Sequence, residues 1–151
     1  MEWVNPPSDF ATEKQHTSLG SLAILRPASP VKEAPLGLPA ATPVHSSVAQ
    51  LLATLGDESA TMPATLVLNL PANTDTNAAA PLPERVRATA AQTLQSVQDW
   101  LSETPLAGTR LVVVTHNGIA AGPGQHDLDL AAASVWGLIR VAASENPGRL
   151  A

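Results

Sequence analysis

The chain has 151 residues, of which 44% are apolar and 14% are charged. This length suits one ordinary domain with a buried core, so we predict a single domain over residues 1–151. The net charge of −5 leaves no basic patch, which argues against nucleic acid and anionic membrane surfaces as partners. Because Cys is absent, disulfides, thiolate nucleophiles and cysteine-ligated zinc are excluded.

Targeting signals are also missing from the pattern. No apolar run approaches the roughly 18–20 residues that a membrane-spanning helix needs. The first residues, MEWVNPP, are acidic and interrupted by proline, unlike a secretory signal peptide. We therefore predict a soluble protein of the cytoplasm.

The first predicted strand covers residues 22–25 (LAIL), a continuous apolar run that Arg26 and Pro27 end. Residues 27–43 contain five prolines and predict a loop or an extended connection.

A helix is predicted to follow this connection. Ser46 or Ser47 is expected to cap its start, and Gly56 to end it. Its apolar face is predicted to consist of Val48, Leu51, Leu52 and Leu55.

The second predicted strand covers residues 65–70 (TLVLNL) and is closed by Pro71. The longest helix is expected from about Glu84 to Ser102. Its inward stripe is predicted to be Val86, Ala90, Leu94, Val97 and Leu101.

The third strand, residues 111–115 (LVVVT), is apolar on both faces, which is typical of a strand covered on both sides of a parallel sheet. A last helix is predicted over residues 129–144, ended by residues 146–148 (Asn-Pro-Gly), after which Leu150 begins another strand. Its inner stripe is expected to be Ala131, Val135, Leu138 and Ala142. This alternation of strands and helices predicts an α/β fold with right-handed crossovers.

A glycine-rich turn follows the third strand. It contains the candidate cofactor-binding residues, Gly118, Gly122 and Gly124. Short-chain dehydrogenases use the spacing G-x-x-x-G-x-G to bring bare backbone close to a pyrophosphate at a helix N-terminus. Against this, Pro123 removes a backbone donor, and Asp127 and Asp129 place negative charge where phosphates would bind. The alternative is a plain surface turn.

No metal site is predicted. His116, His126, Asp127 and Asp129 are close in sequence, but they fall short of the convergent ligand sets that zinc or hard metals need. Asp127 or Asp129 is better explained as the N-cap of the last helix.

No catalytic residues are predicted either. The G-x-S-x-G turn of serine hydrolases is absent, and carbonyl reduction by short-chain enzymes needs a Tyr, which this chain lacks. The tryptophans are expected to anchor the packing. Gly137, beside Trp136 in the middle of a helix, indicates close packing against a neighbour, because glycine destabilises a helix relative to alanine.

The stretch LVVVTHNGIAAGPGQHDLDLAAASVWGLIRVAASENPGRL, residues 111–150, closely resembles the ketoreductase region of actinobacterial modular polyketide synthases. Its most specific parts are residues 130–140 and residues 144–149. Upstream, residues 2–4 resemble the family's first strand, and the segment around Trp100 resembles the end of the family's long helix.

The resemblance implies the structural, N-terminal half of a ketoreductase, with a truncated Rossmann-like parallel sheet and flanking helices. In that family the second half holds NADPH and the Ser-Tyr-Lys chemistry, so this chain is expected to bind no cofactor itself. Its expected partners are the catalytic half of the same ketoreductase and the neighbouring synthase domains. Two departures stand out: residues 27–43 are proline-rich where the family has helix, and His116 replaces a frequent Arg.

Two alternatives stay open at this point. One is a small stand-alone NADP-binding protein that uses the turn from Gly118 to Gly124. The other is an independent protein-interaction module.

Overall fold

The computed structural model describes residues 21–27, 42–56, 61–70, 80–120, 122 and 128–151. Its strands are β1 (Leu22–Leu25), β2 (Val44–His45), β3 (Thr65–Asn69) and β4 (Arg110–Val114). Its α-helices are α1 (Val48–Leu55), α2 (Leu82–Ser102) and α3 (Leu130–Glu145). A short 3₁₀ turn, Thr104–Leu106, leads from α2 towards β4.

The strands form one sheet in the order β2-β1-β3-β4, and every pair of neighbours is parallel. Leu150 adds a parallel bridge to Leu111 on the outer side of β4, so the expected strand begins where the sequence placed it. Parallel neighbours joined through helices confirm the predicted α/β class.

The three helices form a single layer on one face of the sheet. α2 contacts both α1 and α3. The crossovers through these helices all move across the sheet in the same direction, and right-handed crossovers of that kind place their helices on the same face. The sheet side chains in this core are Ala23, Leu25, Leu66, Leu68, Leu111 and Val113.

The second face of the sheet is unevenly covered. Ile24 and Val67 are buried on it, whereas Val112 and Val114 of β4 are only half-buried. The prediction that the third strand, β4, is covered on both sides therefore holds only in part, whereas all residues of β3 are buried.

Helix α1 begins and ends as predicted. The hydroxyl of Ser47 accepts a hydrogen bond from the backbone N–H of Gln50 at 3.1 Å, which is an N-cap contact, and Gly56 is the C-cap. Val48 and Leu51 are buried, and Leu52 and Leu55 pack against the same core from its margin.

The predicted inward stripe of α2 was wrong at two positions. Leu94 and Leu101 are exposed, while Thr93 and Trp100 are buried beside Val97. Burial of Thr93 is possible because its hydroxyl donates to the carbonyl oxygen of Thr89 at 2.8 Å, which satisfies the polar group within the helix.

Helix α3 largely follows the prediction. Ala131 and Val135 are buried, and Leu138 and Ala142 pack against the core from its edge. The helix ends at Glu145 and is capped by Asn146, where the end was predicted; the side-chain amide of Asn146 donates to the carbonyl oxygen of Ala142 at 3.0 Å.

Strand β2 was not predicted. It has two residues, Val44 and His45, and follows the proline-rich stretch without an apolar period that would mark it. Most of that stretch, residues 28–41, and the proposed first strand at residues 2–4 lie outside the described residues.

Candidate functional site

The carboxyl edge of the sheet is where an α/β fold binds ligands, at the point where successive crossovers leave in opposite directions. Here that point lies between β1 and β3, because β1 is flanked by β2 on one side and by β3 on the other. Arg26 follows β1, Asn69 ends β3, and His116 comes shortly after β4. The edge therefore carries polar side chains on three neighbouring strands.

A part-buried side-chain pair links the end of β3 to the segment after β4. Asn69 is 0% exposed, and the Nε2–H of His116 donates to its Oδ1 at 2.9 Å. The Nδ2 of Asn69 makes no hydrogen bond within the described structure. Because Leu25 pairs with Leu68, the next positions, Arg26 and Asn69, lie side by side on the same face.

The turn after β4 is folded back on helix α3. Asn117 adopts a positive φ of 53°, and its carbonyl oxygen accepts a hydrogen bond from the backbone N–H of Asp129 at 2.9 Å. Gly118 is buried in this turn. A Cβ at that position would lie 3.0 Å from Oγ1 of Thr115 and 3.2 Å from Nε1 of Trp136. The absence of a side chain at Gly118 thus serves the close approach of the turn to α3.

The N-terminus of α3 is closed by its own cap. Oδ1 of Asp129 accepts hydrogen bonds from the backbone N–H groups of Ala131 at 3.0 Å and Ala132 at 3.2 Å. This confirms Asp129 as the predicted N-cap. Free N–H groups in the first turn are what a helix offers to a pyrophosphate, and here a carboxylate already occupies them.

The structure describes two of the three candidate glycines of this turn, and their surroundings differ. Gly118 is buried against α3, whereas Gly122 is exposed and a Cβ there would meet nothing within 4 Å. Gly124, together with His126 and Asp127, lies outside the described residues. The described glycines therefore do not line a common cradle.

In the described ranges, no group of three or more His, Cys, Asp or Glu side chains is arranged to hold a metal ion. Among the helices that the structure describes, none has both the length and the apolar character that crossing a bilayer requires.

Sequence reasoning missed two polar residues near this edge, Asn69 and His45. His45 is buried at the end of β2, and its backbone oxygen accepts a hydrogen bond from the N–H of Arg26 at 2.8 Å. Burial lowers the pKa of His45 below its usual 6.5, because the charged form loses solvation. Asn69 could have been found from the sequence, because it is a polar residue in an otherwise apolar strand. His45 could not, because its strand, β2, was not predicted.

Comparison with known proteins decides the family. The family described as "Polyketide synthase extender module SpnB, Rossmann fold domain" matches residues 2–151. The chain belongs to this polyketide synthase Rossmann family. The match confirms both the resemblance to a modular polyketide synthase and the truncated Rossmann-like fold, a parallel sheet with flanking helices.

Relatives of this Rossmann domain are polyketide synthases. Polyketide synthase GfsB of Streptomyces halstedii is 54% identical over 70 residues, which is 46% of this chain and 1% of that protein. Spectinabilin polyketide synthase system protein NorA of Streptomyces orinoci is 45% identical over 97 residues, 62% of this chain and 5% of the relative. Phenolphthiocerol synthesis polyketide synthase type I Pks15/1 of Mycobacterium marinum is 49% identical over 57 residues, 38% of this chain and 3% of the relative. The domain thus spans a very small part of the relatives it matches.

Proposed function

We propose that this Rossmann domain is the structural half of a polyketide synthase ketoreductase, acting in the cytoplasm as a scaffold for a separate catalytic half. The parent ketoreductase would reduce a carrier-bound β-ketoacyl group to a β-hydroxyacyl group, with hydride supplied by NADPH bound to the catalytic half. This chain would contribute stability and orientation to that half and to neighbouring synthase domains.

The observation that carries the proposal is the state of the turn between β4 and α3. A dinucleotide bound in this glycine-rich turn would need bare backbone and free N–H groups there. Gly118 is packed against Thr115 and Trp136, and the carboxylate of Asp129 accepts the first free N–H groups of α3. The described residues of this turn do not fit a pyrophosphate, because a negative charge already lies where it would bind.

The missing proton donor supports the same conclusion. Short-chain reductases protonate the substrate oxygen through a Tyr, and this sequence contains no Tyr. The proposed scaffold also has a structural contact at the carboxyl edge of the sheet. There the Asn69–His116 hydrogen bond connects β3 to the segment after β4. A part-buried hydrogen bond of this kind helps to fix the relative position of two segments.

The test uses the reductase unit of the parent polypeptide and one substitution in the turn, Gly122→Asp. This position has room for a side chain, and a carboxylate there would repel a pyrophosphate bound in the turn. We expect the KM for NADPH, measured with a β-ketoacyl thioester, to stay within about twofold of wild type, a change below 0.5 kcal/mol in binding.

Gly108→Asp is the matched control, because a Cβ at Gly108 also meets nothing within 4 Å and this residue precedes β4 at the opposite edge of the sheet. An increase in the KM for NADPH of about tenfold or more in Gly122→Asp alone would place the cofactor in this turn and overturn the proposal.

A further inference from the structure

The carboxyl edge of the sheet carries side chains that donate hydrogen bonds. Arg26 follows β1, Asn69 ends β3 and His116 follows β4, and these three residues form the edge cluster. A guanidinium, a carboxamide and an imidazole all offer N–H donors. Among the described residues that end the four strands or follow them by up to two positions, none is acidic. In a chain with a net charge of −5, this local composition favours an anion as the ligand of this edge.

The three side chains of the edge cluster lie on the same face of the sheet. Leu25 and Leu68 belong to the core beneath the helices, so the residues that follow them, Arg26 and Asn69, are on the opposite face. His116 reaches that face, because its Nε2 lies 2.9 Å from Oδ1 of Asn69. The cluster is therefore at the point between β1 and β3 where an α/β sheet binds ligands.

The carboxamide of Asn69 gives a second, independent indication. It is 0% exposed, and its Oδ1 accepts from His116, whereas its Nδ2 makes no hydrogen bond within the described structure. The oxygen and the nitrogen of a carboxamide point in different directions, so Nδ2 is directed away from His116, on the side of β1 and Arg26. A buried N–H donor without an acceptor is unfavourable. This position therefore favours a ligand that brings an acceptor.

The residues after β1 limit the size of that ligand. A dinucleotide-binding turn has glycine directly after its first strand, because the backbone must approach the pyrophosphate closely. Here Arg26 and Pro27 follow β1, Pro27 is buried, and proline has no N–H to donate. A single carboxylate or phosphate group needs no such turn, since a guanidinium binds its oxygens through side-chain donors alone. The edge cluster thus suits a small oxyanion.

We propose that the edge cluster binds a small oxyanion, the carboxylate or phosphate group of a small molecule, at the carboxyl edge between β1 and β3. Arg26 supplies the positive charge, and Nδ2 of Asn69 donates a hydrogen bond to an oxygen of the ligand. His116 is a positioning residue, because its hydrogen bond to Oδ1 holds the carboxamide in the orientation that this contact requires. The site goes beyond the proposed function, which concerns a dinucleotide and the glycine-rich turn after β4.

The experiment follows the side-chain N–H signals of Asn69 by ¹H–¹⁵N NMR while inorganic phosphate is added to this chain. The ionic strength is held constant with sodium chloride, and the dispersion of the backbone signals checks that the chain is folded. We expect the Asn69 signals to shift and to saturate, with half-saturation at about 5 mM phosphate or below, because binding gives Nδ2 an acceptor.

Two arginine substitutions show whether the response belongs to the edge cluster. Arg26→Gln removes the charge and keeps an N–H donor, and we expect it to raise the half-saturating phosphate concentration by about tenfold or more. Arg110→Gln is the matched control, because Arg110 is exposed and begins β4 at the opposite edge of the sheet. We expect it to leave the half-saturation within about twofold of wild type. Equal half-saturation in wild type and Arg26→Gln would mean an adventitious ion only and would overturn the proposal.

A second titration with acetate distinguishes the two sources of the oxyanion. Saturation with acetate assigns carboxylate ligands to the site, and saturation with phosphate alone restricts it to phosphate groups. If neither anion saturates the Asn69 signals up to about 50 mM, the proposal is wrong. These titrations contain no NADPH, so their failure is distinguishable from failure of the proposed function, which the KM for NADPH tests.

Discussion

At the residue scale, the close packing of the turn against α3 explains why position 118 is a glycine. Gly118→Ala places a Cβ 3.0 Å from Oγ1 of Thr115 and 3.2 Å from Nε1 of Trp136, so both side chains must shift. We expect the free energy of unfolding, measured by urea denaturation of this chain, to fall by about 1–3 kcal/mol.

Gly122→Ala is the matched control for this prediction. A Cβ at Gly122 has open space around it, so we expect a change within about 0.5 kcal/mol. Equal effects of the two substitutions would show that Gly118 is not held by its contact with α3.

The other prediction at this scale concerns pH. Because burial lowers the pKa of His45 below 6.5, the unfolded chain binds a proton at this residue more readily than the folded chain does. Stability from this residue is thus present above pH 6.5 and is lost as the pH falls below it. We expect the Tm to decrease between about pH 7.5 and pH 5.5, and His45→Gln to reduce that decrease. An identical decrease in wild type and His45→Gln would contradict this assignment.

At the scale of elements, the two sides of α2 provide a direct comparison. Val97 is buried in the core, and Leu94 is 42% exposed although the sequence placed it inside. We expect Val97→Ala to lower the free energy of unfolding by about 2 kcal/mol through lost burial and a residual cavity. Leu94→Ala is expected to cost about 0.5 kcal/mol, despite removing a larger group. A larger loss at Leu94 would mean that α2 faces the sheet in the register predicted from sequence.

The elements that the sequence predicted well are those with a strong local pattern. The strand Leu22–Leu25 was found with its observed bounds, and Ser47 and Asp129 cap their helices by hydrogen bonds that depend only on nearby residues. β2 was missed because two residues carry no period, and their pairing with β1 depends on distant sequence. In α2, apolar spacing alone could not show that Thr93 would be buried in place of Leu94, since that depends on a hydrogen bond within the helix.

The candidate site was predictable to a smaller extent. The turn after β4 was located correctly, and the prediction that Asp129 caps α3 is confirmed by its hydrogen bonds. The Asn69–His116 pair was not predicted, since it joins residues 47 positions apart. Only the sheet order brings such residues together, and that order follows from long-range pairing.

At the scale of the whole molecule, the domain is a parallel sheet with one described helix layer. In the glycine-rich turn after β4, Gly118 packs against Thr115 and Trp136, and Asp129 caps α3. The packing of Gly118 and the Asp129 cap are consistent with the proposal that a separate catalytic half binds the cofactor.

The most direct measurement is a calorimetric titration of this folded chain with NADPH, with the longer reductase polypeptide as the positive control. The account predicts no saturable heat up to about 1 mM NADPH with this chain, and stoichiometric binding by the longer polypeptide. Saturable binding of one NADPH per copy of this chain at micromolar concentration would contradict it.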